Sequence, residues 1–450
     1  MRRAAMVVGL VLAVAVGGCG GGGGGGSDQK KPAQGASAGG GDRTPATITF
    51  WNGFSGRELG VIKKAVDEFH RTHPWITVKT VGSVNDDKII SAIRGGNAPD
   101  VAQSFTADNT GAFCNSGGWI DLKSFMQRDH ISETMFPPAV QSYTKYKDIR
   151  CALPMLADTY GIYYNNALLK KAGITSPPKT MSELTADAKK LTTRNSDGSL
   201  GVVGFDPEQG FYENAPAHYG PLFGADWVTP QGKSDLNTEP WSRFLTWSKD
   251  LIDYYGYDKL ARWQAGAGDE FSPQNAFERG KMAMAIDGEW RTAFIKAEHP
   301  NLDYGTAPMP VDDGHPELYG AGYVTGNILG IPKTAAHKEA AWQLVRWLST
   351  NEHAEAMLSN GLRNVPTLTS ALKSSELTPD PKFKPFLDVF ANPHTATTPI
   401  TAAGSANQEL FQTFVVKWQS GKATDLHGGL ADMDKQIDAQ LSNAAGPQVP

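Results

Sequence analysis

The chain has 450 residues, 40% hydrophobic and 20% charged, enough for roughly two to three folding units with sizeable cores. Its 42 basic and 47 acidic residues leave a formal charge of -5, which argues against a nucleic-acid footprint or a polybasic membrane surface. The 19 Phe, 13 Tyr and 11 Trp exclude a disordered body, and three cysteines exclude a disulfide-dense scaffold or a multi-cysteine metal centre.

The amino end departs from that composition. Arg2 and Arg3 precede an apolar stretch from Ala4 to Val16 and then Gly17-Gly18-Cys19, the order of a secretory signal. The stretch is shorter than the ~20 residues that span a bilayer. Cys19 behind two glycines resembles a bacterial lipobox. That resemblance implies a signal peptide over 1–18 and a lipid on the Cys19 thiol; an ordinary secretory signal with an incidental cysteine is the alternative. Residues 19–45 are rich in Gly, Ser, Gln, Lys, Pro and Ala and read as a flexible tether. The run Gly20 to Gly26 lacks the Gly-Lys-Ser/Thr of a phosphate loop. Export leaves Cys114 and Cys151 as the remaining pair, either bridged or as two buried thiols, and an oxidising compartment favours the bridge.

Along the body, Thr47-Ile48-Thr49-Phe50-Trp51 alternates like a strand and ends at the turn signal Asn52-Gly53. A helix follows from Glu58, with Val61, Ile62, Ala65, Val66 and Phe69 on one face and Pro74 as its stop. Strand 76–81, a helix near 86–94 ended by Gly95-Gly96, and strand 99–103 complete two parallel βαβ units. Right-handed crossovers then give a doubly wound layer. The same grammar restarts with strand 161–164, helix 167–172 and Gly173 as its stop. Thr180-Met181-Ser182-Glu183 is a capping box. Strands 281–286 and 327–332, a helix 335–350 carrying Ala340, Leu344, Val345 and Leu348, and helices 405–420 and 424–443 follow. Two α/β layers without a linker imply two lobes joined by crossing strands, with a cleft at strand carboxyl ends.

Seven segments in this order resemble the family 1 extracellular solute-binding proteins of ABC importers. The first three are Ile48-Thr49-Phe50-Trp51-Asn52-Gly53-Phe54-Ser55-Gly56, Gly96-Asn97-Ala98-Pro99-Asp100-Val101 and Gly117-Gly118-Trp119-Ile120-Asp121-Leu122. Leu153-Pro154 with Tyr163-Tyr164-Asn165-Asn166 comes next, then Gly280-Lys281-Met282-Ala283-Met284 leading to Gly288-Glu289-Trp290. Ile328-Leu329-Gly330-Ile331-Pro332 and Gly361-Leu362-Arg363-Asn364-Val365-Pro366 close the set. The resemblance runs from about Thr47 to the carboxyl end. It implies a periplasmic-binding-protein-like α/β fold of two lobes, a multi-segment hinge and a central ligand cleft. The first lobe would hold 46–157 and 328–363, the second 158–327 and 364–450. A carbohydrate ligand, ABC permease partners and a monomer anchored outside the cell follow by the same resemblance, with no nucleic acid, cofactor or metal.

A saccharide offers hydroxyls at its edge and an apolar face, so its site pairs carboxylates and amides with aromatic rings. By position in the family, Asn52 and Ser55 follow the first strand, and Ser104 and Asp108 follow the third. Asp158 lies just past the hinge, where a carboxylate accepts hydroxyl bonds, with Tyr160 beside it. Asn214 and His218 fall in a gapped stretch of the resemblance, and Trp290 opens a helix where the family stacks a ring on sugar. Gly322, Tyr323 and Arg363 complete the expected set, and Asn52, Asp108 and His218 also read as turn, cap and structural residues. An enzyme is disfavoured, since no His-Glu-x-x-His, Gly-x-Ser-x-Gly or phosphate loop is present, and His70 and His73 read as solvated. A glycerol-3-phosphate-type ligand would want more cations than Arg363 supplies, and a secreted carbohydrate-active enzyme is the remoter alternative.

Overall fold

A computed structural model describes residues 42–444; the expected signal, tether and Cys19 lie outside the described residues, apart from 42–45. Seven strands form one sheet in the order β2-β1-β3-β7-β4-β5, with β6 also paired to β4. They are β1 Ala46–Trp51, β2 Ile76–Val81, β3 Val101–Ser104, β4 Ala152–Asn165, β5 Met284–Gly288, β6 Tyr304–Pro308 and β7 Val324–Gly330. The expected parallel units are present as β2-β1-β3. Every other pairing is antiparallel, so the doubly wound pattern stops at β3, which pairs β7 in the opposite sense.

The helix Gly56–Thr72 buries Ile62, Ala65, Val66 and Phe69, the face that its periodicity indicates. Thr180 caps Met181–Leu191 by accepting from the Glu183 N–H, while the Glu183 carboxylate accepts from Lys179 N at 2.7 Å instead of closing the box on Thr180. Helices Lys338–Thr350, Ala406–Gln419 and Leu426–Ala444 match the expected ones to within three residues at each end. Among the described residues, no helix is long and apolar enough to cross a membrane.

The largest departure is β4. The expected strand 161–164 is only the end of a 14-residue strand. Along it all but Tyr164 are buried, so the period-two alternation that marks a half-exposed strand is absent. It runs against β7 in its first half and against β5 and β6 in its second, which makes it the beam between the lobes. A third segment meets this beam where Ala157 and Val365 exchange backbone hydrogen bonds of 2.8 and 2.9 Å. Strands β4 and β7 and the segment at Val365 are therefore the crossings.

Two hydrophobic cores pack against the sheet. One gathers Ile48, Phe50, Phe69, Trp119, Trp342 and Leu348; the other gathers Leu184, Tyr219, Trp241, Phe244, Ile252 and Phe411. Each such side chain contributes about 1.5–3 kcal/mol. Val365, Leu368, Phe383 and Phe386 join the first core, which also takes in Tyr163, Phe277 and Tyr304 and so continues along the beam. Cys114 and Cys151 are bridged with Cα atoms 5.4 Å apart, closing a 37-residue separation. That tie stabilises the fold by about 4 kcal/mol in the chain-entropy treatment. It pins the short helix Thr110–Asn115 to the residue before β4.

The carboxyl-terminal part returns to the first lobe. Thr398 Oγ1 donates to Asp108, Ser405 N donates to Asn109 Oδ1 at 3.2 Å, and Asn115 Nδ2 donates to Ala444 O at 3.0 Å. Leu430 and Ile437 of the same last helix are buried in the second core.

Candidate functional site

A cleft of about 630 Å³ opens between the lobes. One wall is the loop after β1 and the start of the next helix: Phe54, Ser55, Arg57 and Glu58, with Phe105 beyond β3. The other wall carries Tyr160, Glu213, Phe271, Trp290, Phe294 and Glu298. Asp158, Asn327 and Asn364, one from each crossing segment, join the two walls.

Each wall rests an aromatic ring on a glycine. A Cβ at Gly53 would strike the Phe105 ring, and one at Gly288 would strike the Trp290 ring. Phe105 meets Phe54 edge-on at 4.8 Å and is 46% exposed. Trp290 meets Tyr160 edge-on at 5.6 Å, and Tyr160 is backed by the His218 ring at 3.7 Å. Burial lowers His218 to about 4, so its ring is neutral at ordinary pH. Arg57 reaches across to lie over Phe294 at 4.9 Å while donating to Gly361 O at 2.7 Å.

The floor is acidic. Asp158 is 6% exposed and accepts from Asn364 Nδ2 at 2.6 Å and from Asn327 Nδ2 at 3.4 Å. Burial raises its carboxyl to about 7; the Asn364 amide opposes that rise and the Glu58 charge adds to it. Glu289 has no exposed surface, and burial followed by repulsion from Asp158 pushes it up as well. Its Oε2 accepts from Thr159 N at 2.8 Å. Behind the second wall, Arg291 donates to Asp287 Oδ2 at 2.7 Å and to Glu270 Oε1 and Glu278 Oε1 at 3.3 Å. Burial, then repulsion from Glu270 and Asp287, raises Glu213. Glu213, Glu270 and Asp287 hold carboxylate oxygens within 4.8 Å of one another. The adjacent guanidinium already supplies positive charge to this group, so the trio reads as an ion-pair network.

Of the expected contacts, Ser55, Asp158, Tyr160 and Trp290 line the cleft. The others are placed elsewhere, each for a definite reason. Asn52 is fully buried on the Phe50 side of β1, and its amide has no hydrogen-bond partner. Ser104 donates to Asp86 Oδ2 at 2.7 Å. Asp108 accepts from Thr106 Oγ1 at 2.9 Å and from Thr398. Asn214 donates to Asp206 O at 3.2 Å and to Phe211 O at 2.9 Å, and accepts from the Tyr219 hydroxyl. His218 supports Tyr160 from behind. Gly322 N donates to Thr395 Oγ1 at 3.2 Å, and the Tyr323 hydroxyl lies 3.4 Å from Thr398 Oγ1. Arg363, at φ +69° after a helix, turns to Asp380 Oδ2 at 3.3 Å.

Several lining residues escaped the sequence reading: Phe54, Glu58, Phe271, Phe294, Asn327 and Asn364. Asn364 stood inside a quoted motif and Asn327 at the start of an expected strand, so a signal existed for both. Phe271 and Phe294 had none, because a surface phenylalanine acquires meaning only when a second wall faces it.

Comparison with known proteins agrees with this architecture. Residues 55–355 match the model of the family described as bacterial extracellular solute-binding protein. The chain is 23% identical over 338 residues to a maltotriose-binding protein of Pyrococcus abyssi, covering 74% of this chain and 69% of that one. Among solved structures, CpMnBP1 with mannotriose bound superposes with a TM-score of 0.78 at 25% identity, covering 87% of this chain and 99% of that one. The GacH receptor of Streptomyces glaucescens shares the fold with a TM-score of 0.72 at 22% identity, over 89% of this chain and 99% of its own. These relatives are two-lobed binding proteins, and their family works outside the cytoplasm.

Proposed function

The chain belongs to the bacterial extracellular solute-binding protein family, and from that membership we propose that it captures a carbohydrate for an ABC importer. The ligand would lie in the cleft, bridge both lobes and pass unaltered to the membrane permease. The observation that carries this reading is the cleft itself: rings on two opposed walls over a floor of buried carboxylates and amides. Trp290 would stack on the apolar face of a sugar ring, and Asp158 would accept its hydroxyls. Two relatives, a maltotriose-binding protein and one with mannotriose bound, favour an oligosaccharide. Arg57 is the one cation among the lining residues, and it is engaged with Gly361 and Phe294, which disfavours a phosphate-bearing ligand.

In this reading the first lobe is 46–157 with 328–363 and the second is 158–327 with 364–450, working as a monomer held to the cell membrane by a lipid on Cys19. Contacts on both walls exist together only when the jaws are closed, so binding would shift an open–closed equilibrium. Micromolar affinity corresponds to about -8 kcal/mol, within reach of one stacked ring and a few charge-assisted bonds. Calorimetric titration with maltotriose, mannotriose and glycerol 3-phosphate, with chromatography of the recovered sugar, tests the proposal. Saturable heat from an oligosaccharide that returns intact is expected; cleaved sugar, or heat from the phosphate alone, would overturn it.

A further inference from the structure

The polar groups beneath the cleft form one continuous hydrogen-bond chain whose direction is fixed at both ends. Gly53 N donates to Gln103 Oε1 at 2.9 Å, and Gln103 Nε2 donates to Asn327 Oδ1 at 2.7 Å. Asn327 Nδ2 then faces both oxygens of Asp158 at 3.4 Å. From the other side, Thr159 N donates to Glu289, whose second oxygen shares the Asn364 amide with Asp158. Backbone N–H groups only donate. The Gly53 N–H therefore forces the Gln103 oxygen toward itself, which turns the Gln103 amide toward Asn327 and the Asn327 amide toward Asp158.

Gln103 is 1% exposed and is not among the lining residues, whereas Asn327 and Asp158 are. It links the ligand-facing loop of the first lobe to the carboxylate on the β4 beam, through a strand pair, β3 and β7, that spans the crossing. We infer that Gln103 is a positioning residue for ligand capture, orienting the Asn327 amide toward Asp158 and tying the Gly53 loop to the hinge. This rests on the proposed binding function only for its ligand readout. Without Gln103, Asn327 is free to turn its oxygen toward Asp158, so the carboxylate loses a donor and gains a repulsive dipole.

Two measurements separate the inference from that function. In the ligand-free protein, a carbon-detected NMR titration of Asp158 in Gln103→Leu is expected to move to higher pH by about 0.5. An unchanged midpoint overturns the inference. In calorimetry with maltotriose and mannotriose, Gln103→Leu is expected to weaken binding about tenfold at every pH. Gln103→Glu supplies the readout that simple loss of packing would not move. A protonated Glu accepts from Gly53 and donates to Asn327, whereas its carboxylate cannot donate. Its affinity, relative to the unsubstituted protein at the same pH, is expected to match at acidic pH and fall as the new acid ionises. A flat ratio overturns the inference, also if Gln103→Leu fails to fold. If the unsubstituted protein takes up neither sugar, the carbohydrate reading fails while the Asp158 titration still decides the role of Gln103.

Discussion

The two walls of the cleft solve the same problem with different materials. The first-lobe wall is a loop with an exposed phenylalanine leaning on Gly53 and few charged groups behind it. The second-lobe wall is a tryptophan leaning on Gly288 and meeting Tyr160 edge-on, and the next residue, Arg291, anchors a buried set of carboxylates. The difference teaches where rigidity resides. Buried ion-pair networks hold side chains in one arrangement but contribute little net stability, whereas an exposed ring on a loop keeps its freedom until something covers it. The second wall is a preformed platform and the first an adaptable cover.

The comparison breaks most directly at Trp290. Trp290→Ala is expected to weaken oligosaccharide binding about a hundredfold in calorimetry, while Tm in differential scanning falls by less than about 3 °C. An equal collapse of stability would make Trp290 a core residue and the platform an illusion. The glycines sharpen the contrast. Gly288→Ala displaces the Trp290 ring and should weaken binding about tenfold, whereas Gly53→Ala pushes on the more exposed Phe105 and should cost about threefold. Equal effects would mean that the walls are equally rigid.

A smaller effect concerns pH. Asp158 titrates at about 7 in the fold, against about 3.9 for an unperturbed aspartate. Its folded value is raised, so its contribution is full below the unfolded value and is lost as pH rises through the folded one. The ligand-free Tm is therefore expected to decline from about pH 4 to pH 7, and Asp158→Asn should flatten that slope. Glu58→Gln on the first wall should leave most of it, because burial outweighs the Glu58 charge in raising Asp158. The smallest change expected is Arg57→Ala, which removes the contact over Phe294 and shifts affinity by no more than about threefold.

Much of this architecture was legible in the sequence, and the failures have physical causes. The helix at Gly56–Thr72 and strands β1 and β2 sit at a surface, so burial alternates and leaves a period to read. Strand β4 is buried on both faces and carries no period, which hid the length of the hinge beam. Among the cleft-lining residues, Asp158 and Trp290 were legible through their place in the family resemblance, just past the hinge and at the start of a helix. Asp108 and Ser104 were expected contacts too, with a cap as the alternative for Asp108, and partners at Thr106 and Asp86 engage them. Small polar residues at strand ends make caps as readily as ligand contacts, and only the neighbours decide. The relay through Gln103 was beyond reach, since its members come from positions 53, 103, 158, 327 and 364.

The last helix is buried in the second core, yet its final described residue accepts a hydrogen bond from Asn115 on the first lobe. Fluorophores attached at Ala444 and His427 would sit on the same rod, so the helix fixes their separation. Such a pair would report almost nothing of jaw movement. A reporter of uptake is better built from a label on the first lobe, such as at Lys79 of β2, and one on the second, such as at Tyr254.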